Sequence, residues 1–268
     1  MILQMRPTIA LNGHKLSIEE LWKIASLKVS CELADDARPL IRRSRELVES
    51  LAAQPRAIYG INTGFGPLSG FRINNDDLAQ HQINLLHHLT VGQGALFSEN
   101  ETRAIMLARA NTLARGFSGI REELIELLLA ALNKNILPEI PSEGSVGASG
   151  DLVPLAHMAG LLIGNGHARV NGEKISAADA LKKAGLKPAV LQCKEGLALV
   201  NGTGALGGFV GSWFVGLLQA RTGNSRAGFL LMSGSLILSG LLLLALRTKP
   251  RTTKQAPDET IGFRELST

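Results

Sequence analysis

The stretch GSVGASGDLVPLAHMAG, residues 144–160, decides how this chain is read. Everything before Asp151 is Gly, Ser, Val or Ala, so nothing bulky resists a tight turn. A lone acid, Asp151, follows, and then a largely apolar run that reads as a helix from about Leu152. If the turn closes far enough, the amide nitrogen of Gly150 reaches the carbonyl carbon of Ala148. Attack there, with loss of water, closes a five-membered ring. Loss of a second water from Ser149 leaves an exocyclic methylene conjugated to that ring. The product is an electrophile that no ordinary side chain supplies. A helix starting near Leu152 points its positive end at the ring and favours negative charge developing there. Asp151 is placed to orient the turn by accepting from backbone N–H groups. On spacing alone a second reading stands beside this one: a Gly-Ser loop with Asp151 as an ordinary N-cap.

Outward from this stretch, apolar residues recur at helical spacing in IEELWKIA (18–25), ARPLIRRSRELVESLAA (37–53) and REELIELLLAALNK (121–134). Asp36 is the expected N-cap of the second, and Ser118 or Gly119 opens the third. A further helix-rich stretch is DDLAQHQINLLHHLTVGQG (76–94). RAIYGINTGFGPLSGFR (56–72), rich in glycine and without period, is a loop. Strands are few and short: TIAL (8–11), and HARVNGEKIS (167–176) with Asn171-Gly172 suited to a tight hairpin turn. The fold class expected is mainly α.

The length of 268 residues permits one large or two ordinary domains, and a hydrophobic content of 45% supplies ample core. A net charge of +5 comes from scattered Lys and Arg, and only 4% of residues are aromatic. That combination argues against a nucleic-acid partner, which a basic patch interleaved with stacking rings would mark. Cys31 and Cys193 lie far apart in no metal-ligand spacing and read as reduced thiols. At the start, MILQMRPTIALNG is broken by Arg6 and Pro7 and does not read as a signal peptide.

After residue 203 the texture changes. GALGGFVGSWFVGLLQA (204–220) and AGFLLMSGSLILSGLLLLAL (227–246) carry no charge, and the second has the roughly 20 residues a helix needs to cross a hydrocarbon core. No Asp or Glu occurs from Gly196 to Pro257, and the basic run RTKPRTTK (247–254) follows. These features predict an apolar helical hairpin, 204–250, inserted in the cytoplasmic membrane, and a polar tail, 251–268. Residues 1–203 are expected to be cytoplasmic.

GSVGASGDLVPLAHMAG resembles the Ala-Ser-Gly segment of the aromatic amino acid ammonia-lyases, the histidine, phenylalanine and tyrosine ammonia-lyases and related aminomutases. IYGINTGFGPL (58–68), NLLHHLTVGQG (84–94), MLARANTLARGFSG (106–119), LPEIPSEGSVGASGDL (137–152) and EGLALVNGT (195–203) match that family in order and spacing. The resemblance implies the N-terminal part of the ammonia-lyase (fumarase/aspartase-like) fold over residues 1–203. It implies that Ala148, Ser149 and Gly150 form 4-methylidene-imidazol-5-one (MIO), with no external cofactor and no metal. Tyr59, the single tyrosine of the chain, takes the role of the base that removes the substrate's β-proton. A phenol is a poor base at its usual pKa near 10, so a tuning environment is expected. Gly60 lets the loop approach the substrate, and Asn201 hydrogen-bonds near the MIO and the amino acid backbone. Asp151 and Leu152 support the turn.

His88-Leu89 falls where the resemblance places substrate selection: Ser-His in histidine enzymes, Phe-Leu in phenylalanine enzymes, His-Leu in tyrosine enzymes. An imidazole hydrogen-bonds a para-hydroxyl, so L-tyrosine is the expected substrate, with L-histidine and L-phenylalanine as alternatives. The resemblance also implies a homotetramer. It breaks after Thr203; residues 204–250 resemble the last two membrane helices of a major facilitator superfamily transporter. The expected object is therefore a fusion lacking the family's second half and unable to turn over substrate alone. The alternative is a membrane-anchored, transporter-derived product with no catalysis. Gly202, Gly204 and Gly207 also fit G-x-G-x-x-G, but no acid follows Glu195 before Asp258, so a dinucleotide site is disfavoured.

Overall fold

The computed structural model describes residues 8–65, 70–74, 77–145 and 151–201. These lie in the first of two compact units, residues 1–209; the second unit, 210–268, falls outside the description. Both expected membrane spans, 204–220 and 227–246, and the tail also fall outside it. Among the described residues no helix is long and apolar enough to cross a membrane.

The architecture is mainly helical, in accord with the periodicity. Helices α1 (Ile18–Leu27) and α4 (Glu99–Leu113) each open on a capping box, Ser17 with Glu20 and Ser98 with Glu101. In each, the serine oxygen takes an orphan N–H and the glutamate reaches back to the cap. Helix α2 (Arg38–Ala52) starts with Pro39 in its first turn, and α5 (Glu122–Asn133) buries Leu124, Ile125, Leu128, Leu129 and Leu132. The remaining helices are α3 (Leu78–Leu89), α6 (Leu152–Leu162), α7 (Ala177–Lys183) and α8 (Glu195–Val200). Helix α4 packs between α1 and α5, while α3, α6 and α8 pack against one another.

The strands are short, as expected. β1 (Ile9–Leu11) pairs in parallel with β2 (Cys31–Leu33). β3 (Gln93–Leu96) runs antiparallel to β5 (Pro141–Glu143). β4 (Ile136–Pro138), β6 (His167–Val170) and β7 (Glu173–Ser176) form an antiparallel sheet in the order β4-β6-β7. Asn171 (φ 53°) and Gly172 (φ 84°) make the tight turn between β6 and β7, with the positive φ at both positions that such a turn requires.

Two helix starts differ from the sequence reading. Asp36 does not cap α2: the N-cap is Ala37, and the Asp36 carboxylate accepts from Asn12 Nδ2 at 3.3 Å. The third helix opens on Arg121 rather than on Ser118 or Gly119. Gly119 instead serves a close approach to α2, where an added Cβ would lie 2.2 Å from Val48 Cγ2. Cys31 and Cys193 are free and buried, and burial pushes the Cys31 thiol up to about 12.

One buried cation ties the core together. Arg103 donates to the carbonyls of Ile24 and Ala25 at the end of α1 and to Leu132 O (2.8 Å) at the end of α5. Helix C-termini leave unsatisfied carbonyls and a partial negative charge, so a guanidinium between two of them satisfies both ends at once.

Candidate active site

The loop bearing Tyr59 is built from within. Asn62, fully buried, accepts from Ile58 N (2.7 Å) and donates to Arg56 O (3.0 Å), which fixes the turn around Tyr59. A small apolar cluster of Val48, Ile61, Leu78 and Cys193, with Ile58 packed on it, anchors the same loop to α2 and α3. Gly60 has φ 72°, and a Cβ there would sit 2.8 Å from Leu197 Cδ2 of α8. The left-handed backbone is what requires glycine, since the Leu197 methyl is the end of a flexible side chain. The Tyr59 ring itself is 61% exposed and meets Phe65 edge-on at 6.4 Å. Phe65 in turn stacks on His81 of α3 at 4.7 Å. Burial, and secondarily the nearby His88, holds the His81 imidazole below its ordinary value, so the neutral ring is favoured.

Helices α3 and α8 are locked by one side chain. Gln82, 1% exposed, accepts the Leu197 N–H at 3.0 Å in the first turn of α8. Gly196 permits that contact, since a Cβ there would lie 2.7 Å from Gln82 O. The C-terminal turn of α3 carries His88, which is exposed, and Leu89, which is half-buried. Thr90 Oγ1 donates to His87 O (3.1 Å) and closes this turn.

Helix α8 is held at both ends. Glu195, fully buried, receives Arg121 Nε at 2.7 Å and Nη2 at 2.8 Å, with Arg45 Nη1 at 3.6 Å. At the other end Arg109, 4% exposed, donates to the carbonyls of Ala198 and Asn201. Asn201 follows directly, and its side-chain oxygen is buried without a hydrogen-bond partner among the described residues.

Ala148, Ser149 and Gly150 lie outside the described residues, but both flanks are placed. Helix α6 begins at Leu152. Asp151 makes no side-chain cap to it, which goes against the ordinary N-cap reading; the turn that Asp151 is expected to orient lies outside the described residues. On the other flank Gly144 (φ 119°) packs on Gly92, whose N–H donates to His157 Nε2 of α6 at 3.3 Å. Packing of α6 on α3 and α8, and of Gly60 on α8, gathers the elements bearing Asp151, His88, Asn201 and Tyr59. A cleft of about 350 Å³, lined by Gly64, Phe71, Ile73, Asp77, His81 and Asn84, opens beside the same loop and helix.

The match to a family model described as aromatic amino acid lyase covers residues 16–216 and so runs past Thr203. The chain belongs to the aromatic amino acid lyase family. Within that family it is 44% identical over 237 residues to a histidine ammonia-lyase of Stigmatella aurantiaca, a match covering 88% of this chain and 45% of that one. It is 45% identical over 237 residues to the histidine ammonia-lyase of Myxococcus xanthus, covering 88% and 46%. Among solved structures, tyrosine aminomutase from Streptomyces globisporus superposes with a TM-score of 0.69 at 37% identity, covering 80% of this chain and 40% of that chain. Histidine ammonia-lyase from Trypanosoma cruzi gives 0.68 at 31%, covering 78% and 40%. The chain thus spans less than half the length of the curated relatives it matches.

Aromatic amino acid lyases use an MIO group formed autocatalytically from an Ala-Ser-Gly segment, with no external cofactor. The present residues fit that group on one structural observation: among the described residues the buried Asn201 oxygen is unsatisfied, which leaves it open to a polar group placed there. Sequence reasoning missed Gln82, Arg109, Arg121, Arg45 and His81. Arg109 and Glu195 stand inside matched family segments, which was the only signal available for them.

Proposed function

We propose that this chain carries the base, the electrophile-forming segment and one substrate-binding edge of an ammonia-lyase acting on L-histidine. The observation that supports this most is the convergence on α8: Gly60 of the Tyr59 loop packs on Leu197, and Gln82 of α3 holds Leu197 N–H. The MIO supplied by Ala148-Ser149-Gly150 offers an electrophile for the substrate amine. Tyr59 takes the β-proton as the C–N bond breaks, giving an α,β-unsaturated acid and ammonia. The Asn201 amide hydrogen-bonds the amino acid, and His88 meets its ring.

Histidine replaces the expected tyrosine because the curated relatives named here are histidine ammonia-lyases over 237 aligned residues. His88 does not oppose this, since an imidazole hydrogen-bonds another imidazole as readily as a phenol. The His88-Leu89 pair favours L-tyrosine as the second reading.

The test is a chimera in which residues 16–201 replace the matching segment of the Myxococcus xanthus relative. Turnover of L-histidine above L-tyrosine, lost by about 10²–10⁴-fold in Tyr59→Phe and abolished in Ser149→Ala, supports the reading. Intact mass shows a deficit of two waters that Ser149→Ala lacks. A folded chimera that prefers L-tyrosine moves the assignment to the second reading; one that retains both waters refutes the proposal.

A further inference from the structure

Arg109, like Arg103, is among the described residues a buried cation without a paired anion. It is 4% exposed, and no carboxylate pairs with it among the described residues. From Gly196 to Pro257 the chain holds no acid that could do so locally. Burying a lone guanidinium is expensive, and an apolar residue of similar volume would fill the space at less cost. The compensation is at the C-terminus of α8. Nη2 donates to the carbonyls of Ala198 and of Asn201, the latter at 2.7 Å, where a cation complements the helix dipole. Asn201 N–H is meanwhile taken by Leu197 O at 2.9 Å. Both backbone groups of Asn201 are therefore fixed, while among the described residues its buried side-chain oxygen is left without a partner.

The anchor is rigid. Arg109 sits on α4 beside Met106, Leu107, Ala110 and Leu113, each at 0% exposure. Helix α8, of only 6 residues, sets Ala198, Leu199 and Val200 into the same core, and its C-terminal carbonyls reach Arg109. We infer that Arg109 is the positioning residue for Asn201: it pins the end of α8 so that the Asn201 amide is presented, unspent, to the ligand. This rests on the reading of Asn201 as a substrate-binding group. Desolvation pulls the guanidinium down to about 10, in keeping with its lack of a counter-charge.

The experiment follows the side-chain amide resonances of Asn201 in the full-length chain, assigned as the pair missing from Asn201→Asp. Asn62, whose amide is bonded to Ile58 and Arg56 in the Tyr59 loop, is the internal control. In R109M the Asn201 pair loses its single position while the Asn62 pair stays. R109K, which keeps the charge but not the planar fork, shows a smaller shift in the same direction. Added guanidinium ion restores the wild-type position in R109A. The inference is overturned if the Asn201 pair is unmoved in R109K and R109M, or if the Asn62 pair moves with it, which marks general loosening. Should R109M not fold, R109K decides alone. Failure of the catalytic reading is separately visible, as retention of both waters in the intact mass, and leaves this readout intact.

Discussion

Replacing Glu195 by glutamine removes one charge and almost no volume, so its effect isolates the ion cluster beneath α8. Oε1 of Glu195 accepts from Arg121 Nε (2.7 Å) and Arg121 N (3.2 Å), and Oε2 accepts from Arg121 Nη2 (2.8 Å) and Gln192 N (2.7 Å). Whichever oxygen becomes an amide nitrogen then faces two donors. Two charge-assisted bonds at about 1.5 kcal/mol each amount to about 3 kcal/mol. Breaking a buried pair outright costs about 3–5 kcal/mol. The lower end applies here, because Arg121 keeps 27% of its side chain exposed and recovers some water. With a urea m-value on the order of 2 kcal/mol/M, the unfolding midpoint of Glu195→Gln falls by about 1.5 M. The assay is equilibrium urea unfolding followed by circular dichroism. A drop below about 0.5 M would show that Glu195 is not the anchor of α8 and refute the reasoning.

Two other perturbations test neighbouring steps. Gly196→Ala gains about 0.5–1 kcal/mol of helix propensity but drives a Cβ to 2.7 Å from the Gln82 carbonyl, a backbone atom that no rotamer change relieves. Overpacking of about 1–3 kcal/mol wins, so thermal unfolding shifts down by a few degrees; an unchanged or raised melting temperature contradicts the close α3–α8 contact. His157 accepts from Gly92 N–H through Nε2, and burial holds its imidazole below the ordinary 6.5. The neutral ring is the native form, so its contribution is full above that value and is lost as pH falls. His157→Gln keeps an acceptor and loses the titration. Its melting temperature should fall less than wild type between about pH 7.5 and 5.5, and parallel falls would assign the pH dependence elsewhere.

The parts of the fold legible in the sequence are those decided locally. The helical period of residues 38–52 and the Asn171-Gly172 turn each rest on neighbours within a few positions, and both stand as read. The helix starts at Asp36 and Ser118 were misread because tertiary contacts outbid local caps. Asp36 is drawn to Asn12, and Gly119 is committed to the face of α2, with its N–H on Ser44 Oγ at 2.9 Å. The site divides the same way. Tyr59, Gly60, His88 and Asn201 are candidates because matched motifs carry them. Arg109 binds a carbonyl 92 residues away, and a guanidinium that serves backbone oxygens leaves no pattern of paired residue types for a reader of sequence to find.

Helix α8 brings these two levels together. A helix of 6 residues is well below the length at which one holds itself in water. Its order must come from tertiary contacts: Ala198, Leu199 and Val200 enter the main core, and three side chains fix its polar groups, Gln82 from α3 on the Leu197 N–H, Arg121 at the head of α5 on Glu195, and Arg109 from α4 on the last carbonyls. Each donor element is itself packed in the main core, so Asn201 inherits core rigidity without being part of it. Tyr59 is treated oppositely. Its backbone is fixed by Asn62, yet its ring stands exposed against Phe65. On the proposed roles, Asn201 as a binding group held by buried charges and Tyr59 as a base held only through its loop are affected by different perturbations. Loosening α8 should weaken ligand recognition first, whereas loosening the Asn62 turn should weaken proton removal first, because only the second moves the phenol relative to the substrate's β-carbon.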